Sequence, residues 1–168
     1  CLITIRDMVT ANMDLIDDLI LAKAATPYHN VLDTLDATVL AGSVEDKVVK
    51  GHVVVGAGSA EMIEKAITPG DVVIVSNRSE SQLAAIEMDA GCIVVCSESK
   101  VSRTICMLAE ERGCIIISTP YSTYVAGRMI TQAVPIGHYM VSDKLLTFTL
   151  STPVEAATKV MATARYRY

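Results

Sequence analysis

The chain contains four short, almost uninterrupted apolar runs, and a helix-like segment follows each of them. The runs are HVVVGAG, DVVIVSN, CIVVCSE and CIIISTP, and they begin at His52, Asp71, Cys92 and Cys114. The helix-like segments cover residues 59–67, 79–91, 102–113 and 122–130. Strands that alternate with helices predict βα units and a parallel sheet. We therefore expect an α/β fold, with a mostly parallel sheet built from successive βα units.

Residues with capping and turn preferences stand at the ends of these segments. Serine hydroxyls can accept the unpaired N–H groups of a helix start, which predicts N-caps at Ser59, Ser79 and Ser102. Glycine is favoured where a helix ends in a left-handed residue, which predicts helix ends at Gly91 and Gly113. The pair Pro69–Gly70 predicts a turn into the second strand.

The flanking segments follow a different pattern. TPYHNVLDTL predicts a helix with Thr26 as N-cap and Pro27 at its first position. Near the end, LLTFTL predicts a strand, and the segment after Pro153 predicts a helix whose inward face carries Val154, Ala157, Val160 and Met161. The closing letters ARYRY alternate polar and aromatic residues, as a half-buried strand does. At the other end, LITIRD predicts a strand that leads into a helix near Arg6.

Charge and composition exclude several classes of protein. Among 168 residues, 19 are acidic and 14 are basic, a formal net charge of −5 that argues against a nucleic-acid binder. No apolar run approaches the ~20 residues of a membrane span, and no signal-peptide pattern is present. We expect a cytoplasmic protein that binds neither nucleic acid nor membrane. The five cysteines lack metal-site spacing and are expected to be small apolar side chains.

Two turns carry candidate chemistry. GAGSAE, with Gly56 and Gly58, resembles the start of a dinucleotide fingerprint but lacks its third glycine, which favours an ordinary tight βα turn. STPYSTY places hydroxyl groups at a helix start, where Ser122 is either a helix cap or a candidate anion contact. No clustered acidic or histidine motif suits a metal or a hydrolase site.

Residues 73–130 resemble the DRTGG domain, a family with an Asp-Arg pair after one strand and a Thr-Gly-Gly turn after the next. In this chain Asn77–Arg78 stands at the first motif and Ser97–Glu98–Ser99 at the second. The resemblance implies a fold similar to the N-terminal domain of HPr kinase, and it makes Arg78 a second candidate anion contact. Glu98 would repel an anion at the second turn.

Both ends resemble parts of CBS domains. In LITIRD, Thr4 and Asp7 fit the usual pattern of a hydroxyl residue followed three positions later by a carboxylate. Such groups can bond a phosphate and ribose hydroxyls. At the other end, Arg167 supplies charge for a phosphate and Tyr168 a flat face for a base. The resemblance therefore makes Thr4, Asp7, Arg167 and Tyr168 nucleotide-binding candidates.

The order CBS, DRTGG, CBS resembles the regulatory insert of clostridial-type family II, manganese-dependent inorganic pyrophosphatases. This resemblance implies a segment of a larger hydrolase, with residues 1–25 from a first CBS domain, 26–141 a DRTGG domain with a lead-in helix, and 142–168 from a second CBS domain. It implies AMP, ADP or diadenosine polyphosphates as ligands and a homodimer. It also implies manganese in the parent's catalytic domains, with no cofactor and no catalysis in this chain.

Two alternatives remain open. One is a stand-alone DRTGG scaffold or ligand-binding domain. The other is a small-molecule enzyme that uses the helix N-termini at Ser79, Ser102 and Ser122.

Overall fold

In the computed structural model, which describes residues 3, 17–140 and 146–164, the chain divides into two units. One unit comprises Met13–Pro135. The other comprises Cys1–Asn12 together with Ile136–Tyr168.

Five strands of the larger unit form a sheet. They are β1 (Thr38–Ala41), β2 (Val53–Val55), β3 (Val72–Val75), β4 (Cys92–Val95) and β5 (Ile115–Ser118). The order across the sheet is β1-β5-β4-β3-β2; β2 to β5 run parallel and β1 is antiparallel to β5. The predicted α/β fold with a mostly parallel sheet is confirmed.

Helices cover both faces of this sheet. In chain order they are α1 (Ile20–Lys23), α2 (Tyr28–Leu35), α3 (Ala60–Ala66), α4 (Ser79–Glu87), α5 (Arg103–Arg112), α6 (Thr123–Met129) and a 3-10 helix (Ile130–Ala133). Each of the helices α3 to α6 lies within the helix-like segment that the sequence predicts after its strand.

Within the described ranges, no helix combines the length and the apolar character needed to cross a membrane.

Alternate residues of the strands enter two separate apolar cores. Ile74, Val94 and Ile117 pack with residues of α1, α2 and α6 on one face. Val73 and Ile93 pack with residues of α3, α4 and α5 on the other face. Because both faces are covered, β3 and β4 are apolar at every position instead of alternating.

The antiparallel edge strand β1 was not predicted. It is four residues long, and three of its four side chains are exposed, so its apolar residues Val39–Ala41 form too short a run to identify a strand and show no alternation. Its position depends on pairing with β5, far away in sequence, through a register that shifts between Val39 and Ala41.

The helix caps agree with the prediction in part. Ser59 and Ser102 accept the expected hydrogen bonds from Met62 and Ile105. Ser79 is the first residue of α4 and not its cap, which is Arg78. Nor is Gly91 the left-handed residue after α4, because Asp89 adopts that conformation with φ 56°.

Two other turn predictions had different outcomes. Gly70 has φ 90°, and the N–H of Asp71 donates to the Thr68 carbonyl at 3.1 Å, so Pro69 and Gly70 form the predicted turn. Thr26 was predicted to cap α2, but Pro27 occupies the cap position and the Thr26 hydroxyl has no hydrogen bond within the described residues.

The described part of the smaller unit contains a 3-10 turn (Ile136–His138) and a helix, α7 (Val154–Ala164). The predicted helix is confirmed, but its inward face is not, since Val154 is 81% exposed and Val160 is also exposed. Residues 146–149 adopt no regular structure, so the strand predicted there is absent from them.

The carboxylate of Asp71 connects the chain segments at the start of β3. The residue is 1% exposed. Its Oδ1 accepts from the His52 N–H at 2.7 Å, and its Oδ2 accepts from the Thr68 N–H at 2.7 Å and the Thr68 hydroxyl at 3.0 Å. A Cβ on Gly51 would lie 2.4 Å from Oδ1, so glycine is required beside this carboxylate.

We expect Asp71→Ala to lower the free energy of unfolding by about 3 kcal/mol, because three buried or half-buried donors would lose a charged acceptor. Chemical denaturation of the purified chain measures the change. Asp33→Ala is the matched control, since Asp33 is exposed on α2 and its loss should change stability by less than about 0.5 kcal/mol. Equal effects of the two substitutions would contradict this role for Asp71.

Candidate functional site

Four loops lie at the carboxyl edge of the parallel strands, where ligands of open α/β sheets commonly bind. They follow β2, β3, β4 and β5 and cover residues 56–59, 76–78, 96–102 and 119–122. Two of the candidate residues, Arg78 and Ser122, lie in these loops.

Arg78 connects two of the loops. Its guanidinium Nη2 donates to the Gly58 carbonyl at 2.7 Å, which joins the loop after β3 to the loop after β2. The side chain is exposed. A guanidinium carries five N–H donors, so this bond leaves donors for an anion. The candidate role of Arg78 as an anion contact stays a prediction.

The glycine turn after β2 is a close-packed turn. A Cβ on Gly56 would lie 2.9 Å from Val75 Cγ1 and 3.2 Å from Ile63 Cδ1. Glycine is therefore favoured here by contact with the neighbouring strand and helix. This contact accounts for Gly56 as part of the tight βα turn that the sequence favours.

Ser122 caps the helix that follows β5. Its Oγ accepts the Val125 N–H at 3.4 Å, which is the predicted capping interaction. Arg78 follows β3, and β4 lies between β3 and β5 in the sheet. With strands about 4.8 Å apart, the two loops are separated by about 10 Å, so the structure does not bring Arg78 and Ser122 into contact.

The turn after β4 contains two consecutive left-handed residues. Ser97 has φ 61° and Glu98 has φ 48°. The N–H of Ser97 donates to the Tyr121 carbonyl at 2.9 Å, and that of Glu98 donates to the Thr119 carbonyl at 3.0 Å. Both N–H groups are thus used within the chain, and an anion at this turn would have to displace a carbonyl.

The cysteines described at the two ends of the strands are not activated nucleophiles. At the carboxyl edge, burial raises the pKa of the Cys96 thiol, an effect that the hydrogen bond with Thr123 only partly offsets. At the amino edge, burial raises the pKa of Cys114 to about 12, so both thiols are protonated and unreactive near neutral pH. In the part of the chain that the structure describes, no three His, Cys, Asp or Glu side chains are grouped to hold a metal ion.

The serines at the three predicted helix N-termini have different roles. The hydroxyls of Ser102 and Ser122 each accept an N–H of their own helix. Ser79 does not cap α4. The remaining candidates, Thr4, Asp7, Arg167 and Tyr168, lie outside the described residues.

Sequence reasoning did not foresee the left-handed backbone at Ser97 and Glu98. Part of the signal was present, because Glu98 stands where the DRTGG pattern has the first of its two glycines, and glycine adopts positive φ at little cost. Here two residues with side chains hold the conformation that glycine favours.

We expect Glu98→Gly to raise the free energy of unfolding by about 1 kcal/mol. Removing Cβ relieves the strain of the left-handed backbone, and the extra entropy of glycine in the unfolded chain offsets part of that gain. Glu98→Ala is the matched control because it removes the carboxylate and keeps Cβ. Denaturant titration of both variants separates the two contributions. Equal stability of the glycine and alanine variants would show that backbone strain does not decide the effect.

Comparison with known proteins gives consistent results. The family model described as the DRTGG domain matches residues 30–133. The cobalt-dependent inorganic pyrophosphatase of Clostridium perfringens is 33% identical over 165 residues, which are 98% of this chain and 30% of that protein. The probable manganese-dependent inorganic pyrophosphatase of Thermotoga maritima is 25% identical over 141 residues, 84% of this chain and 26% of that protein. The chain thus spans less than a third of these curated relatives.

A solved structure is similar over almost the whole chain. It is the crystal structure of the CBS and DRTGG domains of the regulatory region of Clostridium perfringens pyrophosphatase, complexed with the activator diadenosine tetraphosphate. The TM-score is 0.83 at 34% identity, covering 96% of this chain and 70% of that chain. The resemblance predicted from the sequence is confirmed: this chain belongs to the DRTGG domain family, and its likeness to a CBS and DRTGG regulatory region extends beyond the DRTGG domain itself.

Proposed function

We propose that this chain is the regulatory region of a nucleotide-controlled inorganic pyrophosphatase. The observation that carries the proposal is the similarity, over nearly all of its length, to a regulatory region bound to an adenine dinucleotide activator. The polar groups described at the carboxyl edge of its sheet cap helices and join loops, which suits a domain that connects others.

The proposed domains are those that the sequence predicts, with CBS segments at residues 1–25 and 142–168 and the DRTGG domain at 26–141. The described end of the chain supports the second CBS segment. Leu150 is fully exposed, Phe148 and Val160 are exposed, and Val154 is exposed on the same helix as Val160. A folded CBS domain needs an apolar face of this kind to cover its sheet, and an apolar patch left in water marks an interaction surface.

The nucleotide site in this proposal uses groups from both CBS segments. The Thr4 hydroxyl bonds a phosphate, and the Asp7 carboxylate bonds ribose hydroxyls. Arg167 neutralises a phosphate, and the ring of Tyr168 stacks on adenine. AMP, ADP and diadenosine polyphosphates share these chemical groups, and the activator in the related structure is diadenosine tetraphosphate.

The metal dependence of the relatives is assigned to parts of the parent outside this chain. One relative is named as cobalt-dependent and another as probably manganese-dependent. The described residues hold no cluster of metal ligands that would fit such an ion. We therefore propose that the hydrolase and its divalent metal, manganese or cobalt, belong to catalytic domains of the parent.

The nucleotide assignment predicts which substitutions weaken binding. In the intact parent protein, combining Thr4→Ala, Asp7→Ala and Tyr168→Ala should raise the Kd for diadenosine tetraphosphate by at least about ten-fold, because stacking and charge-assisted bonds are lost. Titration calorimetry measures this Kd. Arg78→Gln with Ser122→Ala is the control pair and should leave it unchanged. Weakened binding in the control pair alone would move the site into the DRTGG domain.

We also propose that the chain forms a homodimer through the exposed apolar surface around β2. Val55, at the end of that strand, is 49% exposed, and Met62 on the following helix is 65% exposed. Tyr124 is exposed on α6, which packs against β2. An exposed apolar patch of this kind marks an interaction surface.

Sedimentation velocity at tens of micromolar should therefore show a dimer. Val55→Glu with Met62→Glu should shift the population toward monomer, since charges would be buried at the interface. Met107→Glu is the control, because Met107 is exposed on α5 and not beside β2. A wild-type monomer, or equal effects of the control, would refute the proposed interface.

A further inference from the structure

A cleft of about 310 Å³ opens at the amino edge of the parallel strands, opposite the loops that contain Arg78 and Ser122. Gly70, Gly91 and Gly113 line it, and each precedes one of the strands β3, β4 and β5. Tyr28, Lys47 and Lys50 line it as well. Neither the family match nor the nucleotide proposal assigns a role to this cleft.

The glycines give the cleft a lining of bare backbone. A Cβ on Gly91 would lie 2.7 Å from the Gly70 carbonyl oxygen, so a side chain there cannot be accommodated. Gly70 and Gly113 have φ 90° and 71°, which also disfavours a side chain. Gly91 thus packs closely on Gly70, whereas a Cβ on Gly113 would meet nothing within 4 Å and one on Gly70 would meet only Lys50 Cβ, at 3.8 Å. The backbone of Gly70 and Gly113 is therefore open to a ligand.

Tyr28 places a phenol hydroxyl at this cleft. The residue as a whole is 4% exposed, and no described residue forms a hydrogen bond with its hydroxyl. The hydroxyl oxygen would lie 3.2 Å from a Cβ on Gly91, so it is directed at the cleft lining. Burial raises the pKa of Tyr28, which keeps the phenol protonated and a hydrogen-bond donor at neutral pH. A ligand in the cleft can accept this hydrogen bond.

The cleft also carries unpaired positive charge. Lys47 and Lys50 are exposed and make no ion pair with the described residues. Their segment is held in place, because the Val49 N–H donates to the Thr26 carbonyl at 2.8 Å. Asp46 is the single carboxylate that lines the cleft, so the lining has a net charge of +1 when both lysines are counted.

We propose that this cleft binds a small organic anion. Its carboxylate or phosphate group pairs with Lys47 and Lys50, an acceptor oxygen takes the hydrogen bond of the Tyr28 hydroxyl, and a flat apolar body lies on the glycine backbone. The volume is at the lower end of the roughly 300–1,000 Å³ typical of small-molecule sites, which suits an aromatic acid or a phosphate monoester better than a dinucleotide. The site is independent of the proposed nucleotide site.

The test is a chemical-shift titration of the isotopically labelled chain with three probes. Benzoate and phenyl phosphate carry the two anionic groups on the same flat body, and benzamide is the uncharged analogue. We expect either anion to shift the amide signals of Gly70, Gly91 and Gly113. The Kd that the titration gives for benzamide should be higher by about ten-fold or more. The stronger of the two anions identifies the ligand class as carboxylate or phosphate.

Substitutions identify the side chains that contact the anion. Lys47→Gln with Lys50→Gln should raise the Kd at least about ten-fold, and Tyr28→Phe should raise it about three-fold. Lys100→Gln with Arg103→Gln, which removes two exposed charges elsewhere in the domain, should leave it unchanged. Unchanged glycine amide dispersion in each variant verifies the fold.

Three outcomes overturn the proposal. One is the absence of binding by both anions up to about 10 mM. The others are shifts located away from the three glycines, and equal losses in the lysine variant and the charge control.

Discussion

Burial of β3 and β4 on both faces is the constraint on which the rest of the larger unit depends. Every residue of both strands is buried, so charged and strongly polar side chains are disfavoured on either face. The helices must then cover both faces, and connections of βα type are the short way to achieve this. Polar chemistry is consequently confined to the two ends of the strands, where the chain enters and leaves the sheet.

The two ends of the strands differ in how completely their polar groups are satisfied. At the carboxyl edge, Arg78 binds a carbonyl, the N–H groups of Ser97 and Glu98 bind carbonyls, and Ser122 caps a helix. At the amino edge, the Asp71 carboxylate accepts three hydrogen bonds, whereas no described residue forms a hydrogen bond with the Tyr28 hydroxyl. At the carboxyl edge, where ligands of α/β sheets commonly bind, most of these groups are thus bonded within the chain, and Arg78 alone of those named keeps several donors. The Tyr28 hydroxyl and the two lysines make the amino edge a second place for a ligand.

What could be predicted from sequence follows from the same constraint. Strands buried on both faces are continuous apolar runs, and β2 to β5 were recognised as such with their helices. The strand β1 was missed because its position is set by pairing with β5 and not by its own pattern. The site at Tyr28 was missed for a similar reason: three glycines from separate turns meet at one edge only after the strands align, and periodicity does not reveal which tyrosine hydroxyl remains unpaired.

The turn after β4 explains how the fold is kept while the residues that name the family are lost. The left-handed conformation of Ser97 and Glu98 is held by the carbonyls of Tyr121 and Thr119, which accept their N–H groups. Those acceptors belong to the loop after β5, so the geometry of the turn is imposed by the neighbouring loop. Glycine lowers the cost of that geometry but does not create it. A DRTGG domain can therefore replace Thr-Gly-Gly with Ser-Glu-Ser, at the expense of local strain at Ser97 and Glu98, and retain both the turn and the alignment of β4 with β5.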